Sequence, residues 1–255
     1  MPEKGKSRDT APHGATRKAS LPKRFYKDVS VTDEEGGGAS LQLDGKPVRT
    51  PGKAALTFPA RTLAEAIAAE WRAQGERIDP STMPLTRLAN SAIDGVVGRE
   101  QAVVDDIARH AGSDLLCYRA EGPKALVEAQ GAHWDPVLAF ARDELKAPLI
   151  LSEGVVHVAQ PEASLARIRQ EIEGLDPFSL AALHVMTALT GSALLALAVL
   201  RGKLTPKQAW QAAHVDEDFQ ISQWGEDAEA KARREARWRD FEAAARLLDT
   251  VRCSR

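Results

Sequence analysis

Cysteine is scarce. Cys117 and Cys253 are the only two in 255 residues. They lie far apart and outside any paired pattern, so neither a disulfide framework nor a cysteine-based zinc site is encoded, and a reducing compartment fits the chain. An excess of one charge is also missing. Lys and Arg number 34 against 36 Asp and Glu, a net charge of -2, which argues against nucleic acid or an anionic membrane as the main partner. The motifs GxxxxGK[ST], GxGxxG and GxSxG do not occur, so no nucleotide-phosphate loop, dinucleotide turn or serine elbow is indicated. Gly36-Gly37-Gly38 lacks a following Lys-Ser/Thr and predicts a loose connection. The six histidines (His13, His110, His133, His157, His184, His214) are scattered without an HExxH. His214 and Glu217 stand one helical turn apart, but two ligands do not make a metal centre. The sequence therefore predicts no bound metal and no nucleotide requirement.

One long apolar run is present. Phe178 to Leu200 spans 23 residues without Asp, Glu, Lys or Arg, a length that suits a bilayer. His184, Thr187, Thr190, Gly191 and Ser192 place a polar stripe through its middle, and no second such run exists. The run predicts the buried central helix of a helical domain, with His184 a hydrogen-bonded core histidine and no stable membrane insertion.

What is present divides into three parts. Residues 1–22 form a flexible basic tail: the first 28 residues hold eight Lys/Arg against three acids and too little apolar surface to order themselves. Glu3 and Asp9 count against a targeting presequence. Residues 23–60 are β-rich. Tyr26 to Val31, Ala39 to Pro51 and Ala54 to Phe58 are short runs split by turn chemistry, and Asp44-Gly45 supplies a tight hairpin. Residues 61–255 are mainly helical. Thr62 and Glu65 read as a capping box. Pro84 sits near the first turn of a second helix, and Arg99 to Ala111 is a third. Asp135-Pro136, Pro161, Asp176-Pro177 and Thr205-Pro206 each mark a helix start. Leu149 to Gln160 predicts a β interruption. The fold class is α+β: a small N-terminal β domain followed by a larger, mainly α-helical C-terminal domain.

The chemistry-bearing stretch is HVDEDFQISQWGED, His214 to Asp227, with five carboxylates among large apolar residues. On a continuous helix from Thr205 to Gly225, Trp210, Ala213, His214, Glu217, Ile221 and Trp224 share one stripe. Glu217 then sits between two tryptophans, and two assignments stay open. It pairs with an arginine of a neighbouring helix, or it belongs to an aromatic-and-acid surface that docks a partner chain. Trp224 reads as a packing anchor between helices. The following KARREARWR is balanced by acids; Glu229–Arg233, Glu235–Arg239 and Glu242–Arg246 stand at i, i+4 and predict a solvated helix rather than a nucleic-acid face.

The segments KRFYKDVSV, LDGKPVRTPGKAAL, EWRAQGERIDPSTMPLTRLANSAID, SDLLCYRA, TGSALLALAVLRGKLT and DEDFQISQWGEDAEA occur in this order between about Lys23 and Leu248. Together they resemble the F-type ATP synthase assembly chaperones that bind the free α subunit before the catalytic head forms (assembly factor two in the mitochondrial naming). The resemblance implies a chaperone that keeps the unassembled α subunit from aggregating, with no catalysis and no cofactor. It implies the cytoplasm for a bacterial chain, which is favoured, and the mitochondrial matrix for a eukaryotic one. It places the important acid in or just after the Gln-x-x-x-Trp-Gly motif, here Gln220 to Gly225: Glu226, Asp227 or Glu229, with Glu217 matching the acid before the Gln. The partner-binding set is thus Glu217, Gln220, Trp224, Glu226, Asp227 and Glu229. The alternative is an enzyme of unfamiliar type that uses His214 and Glu217 as acid and base.

Overall fold

The computed structural model describes residues 21–154 and 156–252; most of the basic tail lies outside the described residues. Four strands open the chain: β1 (Val29–Asp33), β2 (Ala39–Leu43), β3 (Lys46–Pro47) and β4 (Thr57–Phe58). β2 is central, antiparallel to β1, β3 and β4. The β2–β3 hairpin turns on Asp44 and Gly45, both at positive φ (49° and 75°), the geometry the Asp-Gly pair predicts. Asp44 also latches the chain before β1: its Oδ1 accepts from Asp28 N at 2.8 Å and Lys27 N at 3.0 Å, and these bonds hold its carboxyl below the usual range. β1 begins three residues later than the sequence suggests. Tyr26 is instead turned inward, buried, with its hydroxyl donating to Trp71 O at 2.7 Å.

Ten α-helices follow among the described residues. They are α1 (Arg61–Arg72), α2 (Pro84–Ser91), α3 (Glu100–Ala111), α4 (Lys124–Asp143), α5 (Glu162–Ile172), α6 (Pro177–Thr190), α7 (Ala193–Leu200), α8 (Pro206–Ala213), α9 (Val215–Trp224) and α10 (Ala228–Arg252). A parallel pair, β5 (Tyr118–Arg119) with β6 (Ser152–Glu153), ties the expected β interruption to the loop before α4. Leu41 and Phe58 from the strands share one apolar cluster with Leu63 and Ile67 of α1, Phe178 and Leu183 of α6, and Phe241 of α10.

Several helix boundaries differ from expectation, each for a local reason. α1 starts at Arg61 behind an extended Ala60 with no side-chain cap, so the Thr62–Glu65 box does not form. An Arg61–Asp33 ion pair at 2.7 Å ties that end to β1. Pro136 does not begin a helix but lies inside α4. Pro136 and Ala132 are both exposed, so the Ala132 carbonyl that proline leaves unbonded can face water. By contrast, Asp176 caps α6 as its pairing with Pro177 predicts, accepting from Phe178 N and Ser179 N. The α2 start is capped from outside. Glu70 of α1 accepts from Leu85 N, Thr86 N and Thr86 Oγ1 at 2.7–2.8 Å.

The apolar run 178–200 is the buried centre, but it is two helices. Gly191 adopts φ 68°, which ends α6, and Ser192 Oγ accepts from Leu195 N at 3.0 Å to start α7. The small polar residues expected to stripe one helix instead build the break between two. His184 is hydrogen-bonded to Asp106 Oδ2 at 2.8 Å, yet its side chain is 42% exposed, so it is not a core residue. No helix among the described residues is long and apolar enough to cross a membrane. The other half of the α7 cap comes from Asp114, fully buried, whose carboxylate accepts from Leu194 N and Leu116 N, both at 3.1 Å. Burial raises its pKa to about 6 against these bonds, and with Asp114 it pushes the buried Cys117 thiol up to about 12, which leaves that thiol inert.

Asp114 gives a stability test. Its folded pKa, about 6, exceeds the unfolded 3.8, so the native state holds the proton more tightly between those values. The stability it lends is fully present below the unfolded pKa and is lost as pH rises through about 6. Urea melts of wild type and Asp114→Asn across this window should show the wild-type advantage shrinking as pH rises, then levelling off. A pH-independent difference would show that Asp114 does not titrate there.

Candidate functional site

α8 is firmly started. Thr205 and Gln208 form a reciprocal capping box with Pro206 at the first helical position. It does not run on to Gly225. His214 leaves the helical conformation (φ −118°, ψ 19°) and separates α8 from α9. The imidazole is buried, donates from Nδ1 to Trp210 O at 2.8 Å, and lies over the Trp210 ring at 4.0 Å. Trp210 in turn contacts Trp238 and Phe241 of α10 at 5.5 and 5.4 Å. This aromatic cluster fastens α8 to the body, and the chain past it swings outward.

The break dissolves the single stripe. Within α9 only Val215 is buried. Glu217 is not held between two tryptophans; its side chain is 40% exposed, and its nearest basic neighbour is His214 Nε2 at 3.9 Å. That is beyond hydrogen-bond reach. Burial also lowers the His214 pKa, which disfavours a charged ring facing Glu217. Trp224 is not a packing anchor. It is 80% exposed, the most exposed of the large apolar side chains among the described residues. Gly225 follows at φ 87°, ψ 170°, a conformation that costs other residues steric strain, and it makes an elbow before α10.

The acids around the elbow differ in how far they are already engaged. Asp218 pairs with Arg234 at 2.5 Å, Glu226 with Lys231 at 2.9 Å and Glu229 with Arg233 at 2.6 Å. Asp227 caps α10, accepting from Ala230 N at 2.8 Å. Asp216 accepts from Gln130 Nε2 at 2.7 Å. Among the described residues, Glu217 and Gln220 have no hydrogen-bonded side-chain partner. Glu217, Gln220, Trp224, Glu226, Asp227 and Glu229 thus lie along the α9–α10 elbow, with an exposed aromatic at the end of α9 and one carboxylate, Glu217, that makes no hydrogen bond. Gln130 and Arg234, which tie α9 down, were invisible in the sequence; nothing local marks a contact between residues 86 positions apart.

The acid/base alternative lacks its geometry. The Nδ1 proton of His214 is committed to a backbone carbonyl, and its Nε2 is too far from Glu217 for proton transfer. A cleft of about 730 Å³ does exist, between α2 and α10, lined by Glu70, Ser81, Arg239, Glu242 and Arg246 among others; neither His214 nor Glu217 lines it. Glu70 has a pKa raised by burial, a mark of catalytic acids, but its oxygens are spent capping α2. Among the described residues no three His, Cys, Asp or Glu side chains are placed to hold a metal ion.

Comparison with known proteins places the chain in a family. Residues 23–142 match the family described as ATP12 chaperone protein. The mitochondrial protein atp12 of Schizosaccharomyces pombe is 26% identical over 220 residues, covering 81% of this chain and 75% of that protein. The crystal structure of Atp12 from Paracoccus denitrificans superimposes with a TM-score of 0.84 at 44% identity, covering 90% of this chain and 98% of that one. A chaperone candidate from Agrobacterium tumefaciens gives 0.87 at 51% identity, over 91% and 87% of the two chains. With identity of this order over nine-tenths of its length, the chain belongs to the Atp12 family, the assembly chaperones of ATP synthase.

Proposed function

We propose that this chaperone holds the unassembled α subunit of F-type ATP synthase on the α9–α10 elbow, and that it does so without catalysing a reaction. The exposure of Trp224 carries this reading. A tryptophan that is 80% exposed at the end of a helix, on the same helix as a carboxylate without a hydrogen bond, contributes little to packing. Tryptophan is the side chain most often found as the anchor of a protein interface. An unassembled subunit exposes apolar surface meant for its neighbour, and such patches aggregate. Covering one reversibly needs an apolar anchor and directing charge. The partner-binding set is then Trp224 for area, Glu217 and Gln220 for direction, and Glu226, Asp227 and Glu229 at the rim. Identities of 43–51% with bacterial structures against 26% with the fission-yeast protein favour the bacterial cytoplasm as the place of work.

The first test is truncation of the anchor. Trp224→Ala should weaken binding of purified α subunit roughly 30-fold, the scale of a hot-spot aromatic. Melting should shift by less than ~2 °C, as for a surface change. Calorimetric titration and thermal scans on one preparation read both; unchanged affinity would remove Trp224 from the interface.

The second test separates the acids. Glu226 and Glu229 are hydrogen-bonded to Lys231 and Arg233, whereas Glu217 makes no hydrogen bond and feels only the more distant His214 and Arg234. Glu217→Gln should therefore slow association several-fold at low salt, with the effect fading as salt rises. Glu226→Gln combined with Glu229→Gln should do less. Stopped-flow association at two ionic strengths decides the order, and the reverse order would move the directing charge to the start of α10.

A further inference from the structure

α9 buries little of its own surface, yet it projects from the body in a defined direction. What fixes that direction is found on α4. Gln130 and Trp134 stand at i, i+4 on one face of that helix and are both buried. Trp134 Nε1 donates to Ala212 O at 2.7 Å, at the end of α8. Gln130 Nε2 donates to Asp216 Oδ1 at 2.7 Å, in the first turn of α9. The two bonds grip the chain on either side of the break at His214. The other end of the Gln130 amide is also used, since Oε1 accepts from Ala120 N at 2.9 Å. Ala120 directly follows β5, which is paired to β6. Gln130 thus spans from the β5–β6 pair to the acidic helix with both of its polar atoms bonded. Beyond it, α9 is held by Val215 in the core, by the half-buried Phe219 and Ile221, and by the ion pair of Asp218 with the largely buried Arg234.

We propose that Gln130 is the positioning residue of the docking surface: its bond to Asp216 sets the angle at which α9 leaves the body, and so where Trp224 and Glu217 are presented. The proposal rests on the assignment of the elbow as the client-binding surface. A buried amide that loses its partner loses both the bond and the solvation it gave up, so the contact has a large leverage on a helix with few others. Its polarity makes it testable by inversion. Gln130→Glu keeps the shape and the acceptor for Ala120 N but sets a carboxylate against Asp216, and like charges at this separation repel. Asp216→Asn alone keeps an acceptor oxygen for Gln130. Combining Gln130→Glu with Asp216→Asn restores a hydrogen bond with donor and acceptor exchanged.

The experiment follows backbone amide exchange across residues 215–224 in the full chain and, in parallel, suppression of α-subunit aggregation. Gln130→Glu should accelerate exchange in α9 roughly tenfold, the scale expected for a lost buried hydrogen bond, and weaken protection of the client. Asp216→Asn should change neither, and the double variant should return both close to wild type. If the double variant is as impaired as Gln130→Glu, a buried charge and not the contact with Asp216 is at fault, and the proposal falls. It falls also if Gln130→Glu leaves exchange in α9 unchanged. If exchange follows the cycle while client protection never varies, Gln130 does position α9, but the elbow is not the client-binding surface.

Discussion

The imidazole of His214 closes α8 from within, and the arrangement of the exposed α9–α10 elbow, the proposed docking surface, depends on that closure. With Nδ1 bonded to the Trp210 carbonyl and its ring over the indole, His214 cannot continue the helix and cannot leave the core. On its N-terminal side Ala209, Trp210 and Ala212 pack inward, Trp210 onto Trp238 and Phe241. Past Val215 the chain faces outward. A sequence that would form one amphipathic helix thus becomes a half-buried helix and a more exposed one, and a tryptophan that would pack inside is delivered to solvent.

The same break explains why a cluster of five carboxylates carries no catalytic or metal-binding geometry. Each acid that faces the body is answered locally: Asp216 by Gln130, Asp218 by Arg234, Asp227 by the first turn of α10. The remaining acids face water, where ion pairs such as Glu226–Lys231 are weak and exchangeable. A surface whose charges are loosely held and whose aromatic tip is bare can be covered and uncovered at little cost, which is what a reversible chaperone requires. The buried, perturbed acids lie elsewhere. Asp114 and Glu70 cap helices α7 and α2, and their shifted pKa values report burial rather than reactivity.

Sequence and structure agree best where one or two adjacent residues carry the instruction. Asp44-Gly45 makes its hairpin, and Asp176-Pro177 and Thr205-Pro206 start their helices, because turn and cap chemistry is local. The Thr62–Glu65 box failed where a tertiary ion pair, Arg61–Asp33, holds the helix end instead. Pro136 was misplaced because an exposed helix face tolerates its missing donor. Two breaks were hidden by apolar composition: Gly191-Ser192 within the central run, and His214 within the acidic stretch. At both, partners distant in sequence stabilise the interruption. Asp114 does so 80 residues before Leu194, and α4 does so from both sides of His214. The six residues of the elbow were nameable from their motif, but their exposure was not, since it follows from a break that helical periodicity does not show.

Site-specific photocrosslinking reaches the central claim most directly. A benzophenone side chain placed at Gln220, exposed and without a hydrogen-bonded side-chain partner, replaces nothing the fold uses. The same group at Phe25 or Val97, which are 72% and 54% exposed and far from the elbow in sequence, serves as the reference. Irradiation with unassembled α subunit should give a crosslinked product from position 220 and little from 25 or 97. Efficient crosslinking from 25 or 97, with none from 220, would contradict the account and place the client on another face of the molecule.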